Sequence, residues 1–322
     1  MNPIILRNKV LPVIRKYFEN NQIVEALTPL TVKSAGIEPY IDPVPLGNGL
    51  FLPTSPEISL KKQFAMLSEE DQGLYEIAHA FRDDQEGNLH LREFTMVEWY
   101  KKNTFYLDLV NQVVNFLKSI STVDFLSARA SSIDFNKTST ISIRELFHRE
   151  FGKFPEPHWG IEAYATLAIN TEHLNTAKHL INEKKDYSGL IELFTLLYDY
   201  ALARYQSENK GLVFISDYPP FLRGMAKLSP DGWAMRLEAI FNGLELCSGY
   251  QEEDNPDALL KIWNQNNELR HKMNKPPHPV DYQLVEISVK MKGVSGMALG
   301  LERSLMALYG ITSIKDFKTD RF

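Results

Sequence analysis

The residues best suited to phosphate chemistry fall in three short stretches. The first runs Phe81-Arg82-Asp83-Asp84, passes His90, and returns as Glu93-Phe94-Thr95-Met96-Val97-Glu98-Trp99-Tyr100. An arginine at the end of one strand can bridge phosphate oxygens with its planar fork, and a phenylalanine at the start of the returning strand can stack on a base. The polar loop between them, 83–92, would then close over the phosphates. Taken singly, the same residues fit an ordinary hairpin with surface charges and a core phenylalanine. The second stretch, Gly243-Leu244-Glu245-Leu246-Cys247-Ser248-Gly249-Tyr250-Gln251-Glu252, carries two carboxylates seven positions apart across a glycine. If Gly249 bends the strand, Glu245 and Glu252 meet at one hard cation such as magnesium. Solvated or paired glutamates on a sheet surface are the plainer alternative, and Cys247 reads as a small buried hydrophobe. The third stretch, Gly296-Met297-Ala298-Leu299-Gly300-Leu301-Glu302-Arg303, is a small-residue strand that opens a helix. Its small residues let a ligand approach the backbone closely, and Arg303 stands in the first turn where anions are favoured, although close helix-sheet packing is the plainer cause of such a pattern. Its glycine spacing is not that of a dinucleotide fingerprint.

These stretches need elements to hold them. Leu6, Val10, Ile14 and Tyr17 recur at helical spacing, and Gln22 to Thr28 reads as a strand stopped by Pro29. A helix containing Lys61 and Lys62 follows Phe51 to Leu60. Leu74 to Phe81 and Phe94 to Tyr100 then form an antiparallel pair around the polar loop. Asp108 to Ile120 is apolar at helical intervals, and two further helices are expected over about 160–206, divided at Ser188-Gly189. A second pair, Arg236 to Phe241 and Leu244 to Tyr250, flanks Asn242-Gly243, a dipeptide that readily takes positive φ in a hairpin. Asn255-Pro256 starts a helix through Leu259 and Trp263 toward Leu269 that ends near Lys275-Pro276-Pro277. Val294 to Leu299 is the last strand, entering a helix at Gly300. Separated antiparallel pairs with helices between them predict an α+β fold.

At 322 residues, 44% hydrophobic and 24% charged, the chain has the composition of an ordered globular protein with ample core. Its opening 13 residues lack the cleavage site of a signal peptide, and no segment approaches a membrane span. A single cysteine excludes an intrachain disulfide and a cysteine-based zinc site, and points to a cytoplasmic setting. The formal charge of −6 disfavours a broad nucleic-acid surface.

In order and spacing the three stretches resemble motifs 2 and 3 of class II aminoacyl-tRNA synthetases and the acidic strand between them, with Pro29 similar to the motif 1 proline of the dimer interface. The likeness is strongest to lysyl-tRNA synthetase catalytic domains and, within that family, to short paralogues that join (R)-β-lysine to a lysine of elongation factor P. Thr54-Ser55-Pro56-Glu57, Glu93 to Tyr100 and Gly296 to Arg303 carry it, whereas residues 121–235 match loosely. The resemblance implies a single catalytic domain over 1–322 without an anticodon-binding domain, and a class II antiparallel sheet flanked by helices. It also implies an ATP- and Mg2+-dependent ligase that acts as a homodimer, uses lysine or β-lysine, and takes elongation factor P rather than tRNA as acceptor. By position, Arg82 would bind the α-phosphate, Phe94 and Arg303 would sandwich adenine, His90 would approach the terminal phosphate, and Asp84 and Gly300 would complete the ATP site. Glu245 and Glu252 would hold magnesium. Ser55, Glu57, Glu98, Tyr100, Glu245 and Ala298 would line the amino-acid pocket, where carboxylates suit a substrate with two ammonium groups. Ala298 stands where lysyl-tRNA synthetases usually carry glycine and the paralogues alanine. Asp84 replaces the usual motif 2 glutamate, Leu91-Arg92 stands where Asn-Pro is common, and Ser248 replaces an asparagine. Rival readings are tRNA aminoacylation by a truncated synthetase, amide synthesis on a small molecule, and a non-catalytic paralogue.

Overall fold

The computed structural model describes residues 2–123, 132–184 and 186–319. The chain opens with helix α1 (Pro3–Asn20), started by the Asn2 side chain, which accepts from Ile4 N at 2.8 Å, and by Pro3 at the first helical position. Its buried stripe is Leu6, Val10, Ile14 and Phe18. Tyr17, expected on that face, sits beside it and donates its hydroxyl to Gln112 O. Strand β1 (Ile23–Glu25) is shorter than expected, and a small hairpin, β2 (Pro45–Gly47) and β3 (Leu50–Phe51), precedes helix α2 (Glu57–Phe64). Strands β4 (Gly73–Phe81) and β5 (Glu93–Lys101) pair antiparallel around the polar loop, followed by helix α3 (Leu109–Ile120).

The middle third holds strand β6 (Ser139–Ser142) and helices α4 (Ile143–Phe151), α5 (Ile161–Ala165), α6 (Leu174–Glu183) and α7 (Tyr187–Glu208). The expected break at Ser188-Gly189 lies earlier, before Asp186. The Asp186 side chain caps α7 by accepting from Ser188 N and Gly189 N, so both residues belong to its first turn. Gly189 is required there for another reason: a Cβ would stand 2.0 Å from Lys184 O. Strand β7 (Val213–Tyr218) follows. The Asn242-Gly243 hairpin joins β8 (Ala234–Phe241) to β9 (Leu244–Gln251), with both turn residues at positive φ as expected. Helix α8 (Pro256–Lys272) is capped by Asn255, and α9 (Tyr282–Ile287) leads to strand β10 (Ser295–Gly300) and helix α10 (Leu301–Tyr309).

The fold is α+β, as expected, but the strand pairs are not separate. One eight-stranded sheet runs β1-β4-β5-β10-β9-β8-β7-β6, parallel at its two outer pairs and antiparallel between. Strand β10 joins the halves, with Ala298 opposite Glu98 on one side and Ser248 on the other. One face is covered by α1, α3 and α10 around Phe18, Trp99, Phe116 and Leu305, all buried. Over β6 to β8, helices α4 to α7 add a second core around Phe147, Phe194 and Leu197. Across the remaining central strands lies an open cleft. Among the described residues no helix is long and apolar enough to cross a membrane.

Candidate active site

Two cavities meet above the central strands and share Arg82, Met96, Glu245, Ser248 and Ala298, so they form one continuous cleft.

The first end gathers Arg82, Asp84, His90, Phe94, Glu245, Gly300 and Arg303. The β4–β5 register puts Arg82 just past the last paired residue, Phe81 opposite Glu93, so Arg82 and Phe94 emerge side by side. The Arg82 guanidinium lies 5.1 Å from the Phe94 ring centroid, and its buried Nε has no hydrogen-bond partner among the described residues. Burial lowers the Arg82 pKa, which Glu245 opposes. Arg303 donates Nε to Leu89 O at 3.1 Å and a terminal nitrogen to Glu245 O at 3.4 Å, which ties helix α10 to the polar loop and to β9. The cation over the Phe94 ring is Arg82. Burial and the Arg303 charge hold the His90 imidazole below its ordinary pKa. Glu302, which the sequence reading passed over, is 1% exposed. It accepts from Arg7 at 3.1 Å and from Thr95 N at 2.9 Å, fixing the strand beside Phe94. Leu91, in the place of an expected asparagine, is buried in the core, and Arg92 pairs with Asp83.

The second end is acidic and more enclosed. Ser55, Glu57, Glu98, Tyr100, Glu252 and Ala298 line it together. Helix α2 presents Glu57 and Lys61 one turn apart, and Lys61 Nζ, buried, lies 2.8 Å from Glu57 and 2.6 Å from Glu252. Tyr100 donates to Glu98 at 2.5 Å, Tyr250 donates to Glu57, and Ser55 Oγ accepts from Glu57 N. Glu98 and Glu252 are each 2% exposed, and Glu98 Oε2 and Glu252 Oε1 have no hydrogen-bond partner among the described residues. Burial, followed by the neighbouring Glu57 charge, pushes the Glu98 carboxyl well above the ordinary carboxylate range. Gly296 makes the space: a Cβ there would stand 2.3 Å from the Tyr100 ring and 2.7 Å from Glu252 Oε1.

Glu245 and Glu252 do not converge on one cation. Seven residues of strand at ~3.3 Å per residue separate them by roughly 20 Å, and Glu252 is held by Lys61. Gly249 does not bend the strand; it admits the close approach of β10, since a Cβ would lie 2.3 Å from Gly296 O. The irregularity is a bulge, where Ala239 pairs with Cys247 but Ile240 pairs with Glu245. Leu246 is the extra residue, and the shift turns Glu245 toward the cleft with Ser248 and Tyr250. The carboxylate beside Glu245 is Glu238, whose pKa is raised by burial first and by the Glu245 charge second. Glu238 is oriented by Tyr218 at 2.6 Å and Arg236 at 2.8 Å. The Glu245 side chain accepts no hydrogen bond among the described residues, so Glu245 with the neighbouring Glu238, rather than with Glu252, is the pair that could hold a divalent cation. No group of three or more His, Cys, Asp and Glu among the described residues forms a protein-only metal site.

Lys61 carried a signal in the sequence, an i,i+4 pair with Glu57, whereas Glu238 and Tyr218 carried none. Cys247 is buried, and burial raises its pKa.

The family described as tRNA synthetases class II (D, K and N) matches residues 1–319. Curated relatives include the elongation factor P–(R)-β-lysine ligases of Yersinia pestis (strain Pestoides F) and Yersinia pseudotuberculosis (serotype O:1b). Each is 25% identical over 325 residues, which cover 97% of this chain and 93% of the relative.

Proposed function

Because the chain belongs to the class II tRNA synthetases of the D, K and N group, we propose that this ligase activates a diamino acid, (R)-β-lysine or lysine, with ATP and transfers it to a lysine of elongation factor P. The observation that carries the reading is the acidic end of the cleft. Two oxygens without a hydrogen-bond partner among the described residues, Glu98 Oε2 and Glu252 Oε1, belong to buried glutamates that line this end together with Tyr100 and Ala298. Buried carboxylate oxygens without donors are costly, and a substrate ammonium offsets that cost where a neutral side chain cannot. The names of the Yersinia relatives support (R)-β-lysine and elongation factor P.

On this reading the substrate carboxylate attacks the α-phosphorus in line. The bond to the β-phosphate oxygen breaks, pyrophosphate leaves, and an aminoacyl adenylate remains. Arg82, with its buried free Nε, meets the charge that grows on the α-phosphate, and Phe94 stacks on the base. Asp84 and Gly300 border the nucleotide, Arg303 closes the adenine end, and His90 approaches the terminal phosphate. Magnesium, when bound, neutralises phosphate charge; Glu245 and Glu238 would hold it. An acceptor lysine amine then attacks the acyl carbon, AMP leaves, and an amide forms. No side-chain nucleophile is used; positioning and charge supply the acceleration. The exposed Leu27 and Leu30 around Pro29 support a dimer through this edge.

The test is ATP–pyrophosphate exchange across a panel of amino acids, followed by transfer of labelled amino acid to elongation factor P or to tRNA in separate reactions. Magnesium-dependent exchange with β-lysine above α-lysine, and label in elongation factor P, are expected. Exchange with neutral amino acids alone, or label only in tRNA, overturns the reading.

A further inference from the structure

The carboxylates of the acidic end differ in their partners. Glu57 and Glu252 accept from Lys61, and Glu98 accepts from Tyr100. Glu38 also lines this end, yet its side chain accepts no hydrogen bond and forms no ion pair with any described residue. The two cations that act on it are engaged elsewhere: Arg236 donates to Leu222 O at 2.6 Å and to Glu238, and Arg82 lies over Phe94.

The backbone beneath Glu38, by contrast, is fixed from outside the cleft. Asn266 donates to Ile37 O at 3.1 Å, and His278 Nε2 lies 3.0 Å from Glu38 O. Arg270, 1% exposed, donates to Pro39 O at 3.0 Å, to Ile41 O at 3.2 Å and to the Asp42 carboxylate at 3.0 Å. Opposite the side chain stands Gly224 at φ +55°, where a Cβ would be 2.9 Å from Glu38 Oε1. Helix α8 and its following turn thus hold rigid a loop whose one inward carboxylate fills space that a glycine leaves clear. Burial pushes the Glu38 carboxyl above its ordinary pKa, which Arg236 only partly opposes. A charge desolvated in this way is stabilised by an arriving cation.

We propose that Glu38 is a specificity-determining residue whose carboxylate receives the amine nearest the reacting carboxyl of a diamino acid, while the distal amine meets Glu98 and Glu252. The inference rests on the reading of the cleft as a diamino-acid activation site. Moving that amine from the α to the β carbon shifts it by one carbon along the chain, so a carboxylate on an unyielding loop discriminates between the two.

The experiment compares wild type, Glu38→Gln and Glu38→Asp in ATP–pyrophosphate exchange with β-lysine, lysine and 6-aminohexanoate, which keeps the carboxyl and distal amine but lacks the proximal one. Where the analogue is not turned over, its inhibition constant against the better diamino acid is read instead. Glu38→Gln should raise KM for the diamino acids by roughly 30-fold or more, the scale of losing one partner of a buried charge pair, and leave the constant for 6-aminohexanoate unchanged. Equal weakening of all three compounds would mean that Glu38 only shapes the pocket, and an unaltered diamino-acid KM would mean that it does not touch substrate; either overturns the inference. If Glu38→Gln shows no cooperative melting transition, Glu38→Asp decides by the same selective loss. Wild type that exchanges with neither diamino acid overturns the activation reading and this inference together, whereas diamino-acid exchange indifferent to Glu38 overturns the inference alone.

Discussion

The two ends of the cleft rest on the same strands but are organised differently. At the end proposed for the nucleotide the groups are largely free of one another: among the described residues Arg82 Nε is unpartnered, the Glu245 side chain has no donor, and Arg303 spends its hydrogen bonds on backbone carbonyls. At the amino-acid end Lys61 bridges Glu57 and Glu252, Tyr250 reaches Glu57, and Tyr100 reaches Glu98, with most of these groups buried. On the proposed reading, one end takes a polyanion that supplies the missing partners, and the other is already a charge network into which one more cation fits. Mutations at the first end should therefore cost activity and spare stability, while those at the second should cost stability as well.

The sharpest break in that contrast is Lys61→Met. It removes the cation between two glutamates in a place where Lys61 is 2% exposed. Loss of one partner from such a buried pair costs about 3–5 kcal/mol, read in chemical denaturation; a change below about 1 kcal/mol, the surface-pair range, would show that the network is solvent-screened. Arg82→Ala should lower pyrophosphate exchange roughly 100-fold, the scale of one transition-state donor, with an unshifted melting temperature. Equal loss of stability and rate would erase the distinction between the ends. Ala298→Gly, opposite both Glu98 and Ser248, should change the preference between α- and β-lysine by about 1–3 kcal/mol, the worth of one methyl group in a pocket. An unchanged ratio would remove Ala298 from the substrate surface.

The smallest expected effect is a proton. Burial and Glu57 keep Glu98 protonated above the ordinary carboxylate pKa of 4.5, whereas the unfolded chain ionises there. The folded state thus binds the extra proton, so its contribution to stability is full below pH 4.5 and is lost as pH rises through the raised folded value. A substrate ammonium favours the ionised form, so binding should release a proton and tighten as pH rises. Calorimetry in buffers of different ionisation enthalpy should detect that release in wild type and not in Glu98→Gln; equal release from both would assign it to another group.

Much of the end proposed for the nucleotide was legible because its signals are local. Strand periodicity, a polar loop of fixed length, and Asn242-Gly243 each act within a few residues, and with the β4–β5 register they suffice to set Arg82 beside Phe94. The amino-acid end was legible only as a set of residues. Strand β10 merges two hairpins into one sheet, and nothing within either hairpin encodes that union. The bulge at Leu246 decides that Glu245 faces the cleft, because side chains alternate with period two and one extra residue reverses every face beyond it. Only packing brings Lys61 to Glu252, Tyr218 to Glu238, and Arg270 beneath the loop of Glu38. The sequence by itself determined the β4–β5 hairpin with its polar loop, the acidic strand and the glycine-rich strand. The tertiary structure alone decided which carboxylate pairs with which cation, because charges distant in the chain find their partners through long-range strand order and helix packing, and no local pattern specifies those.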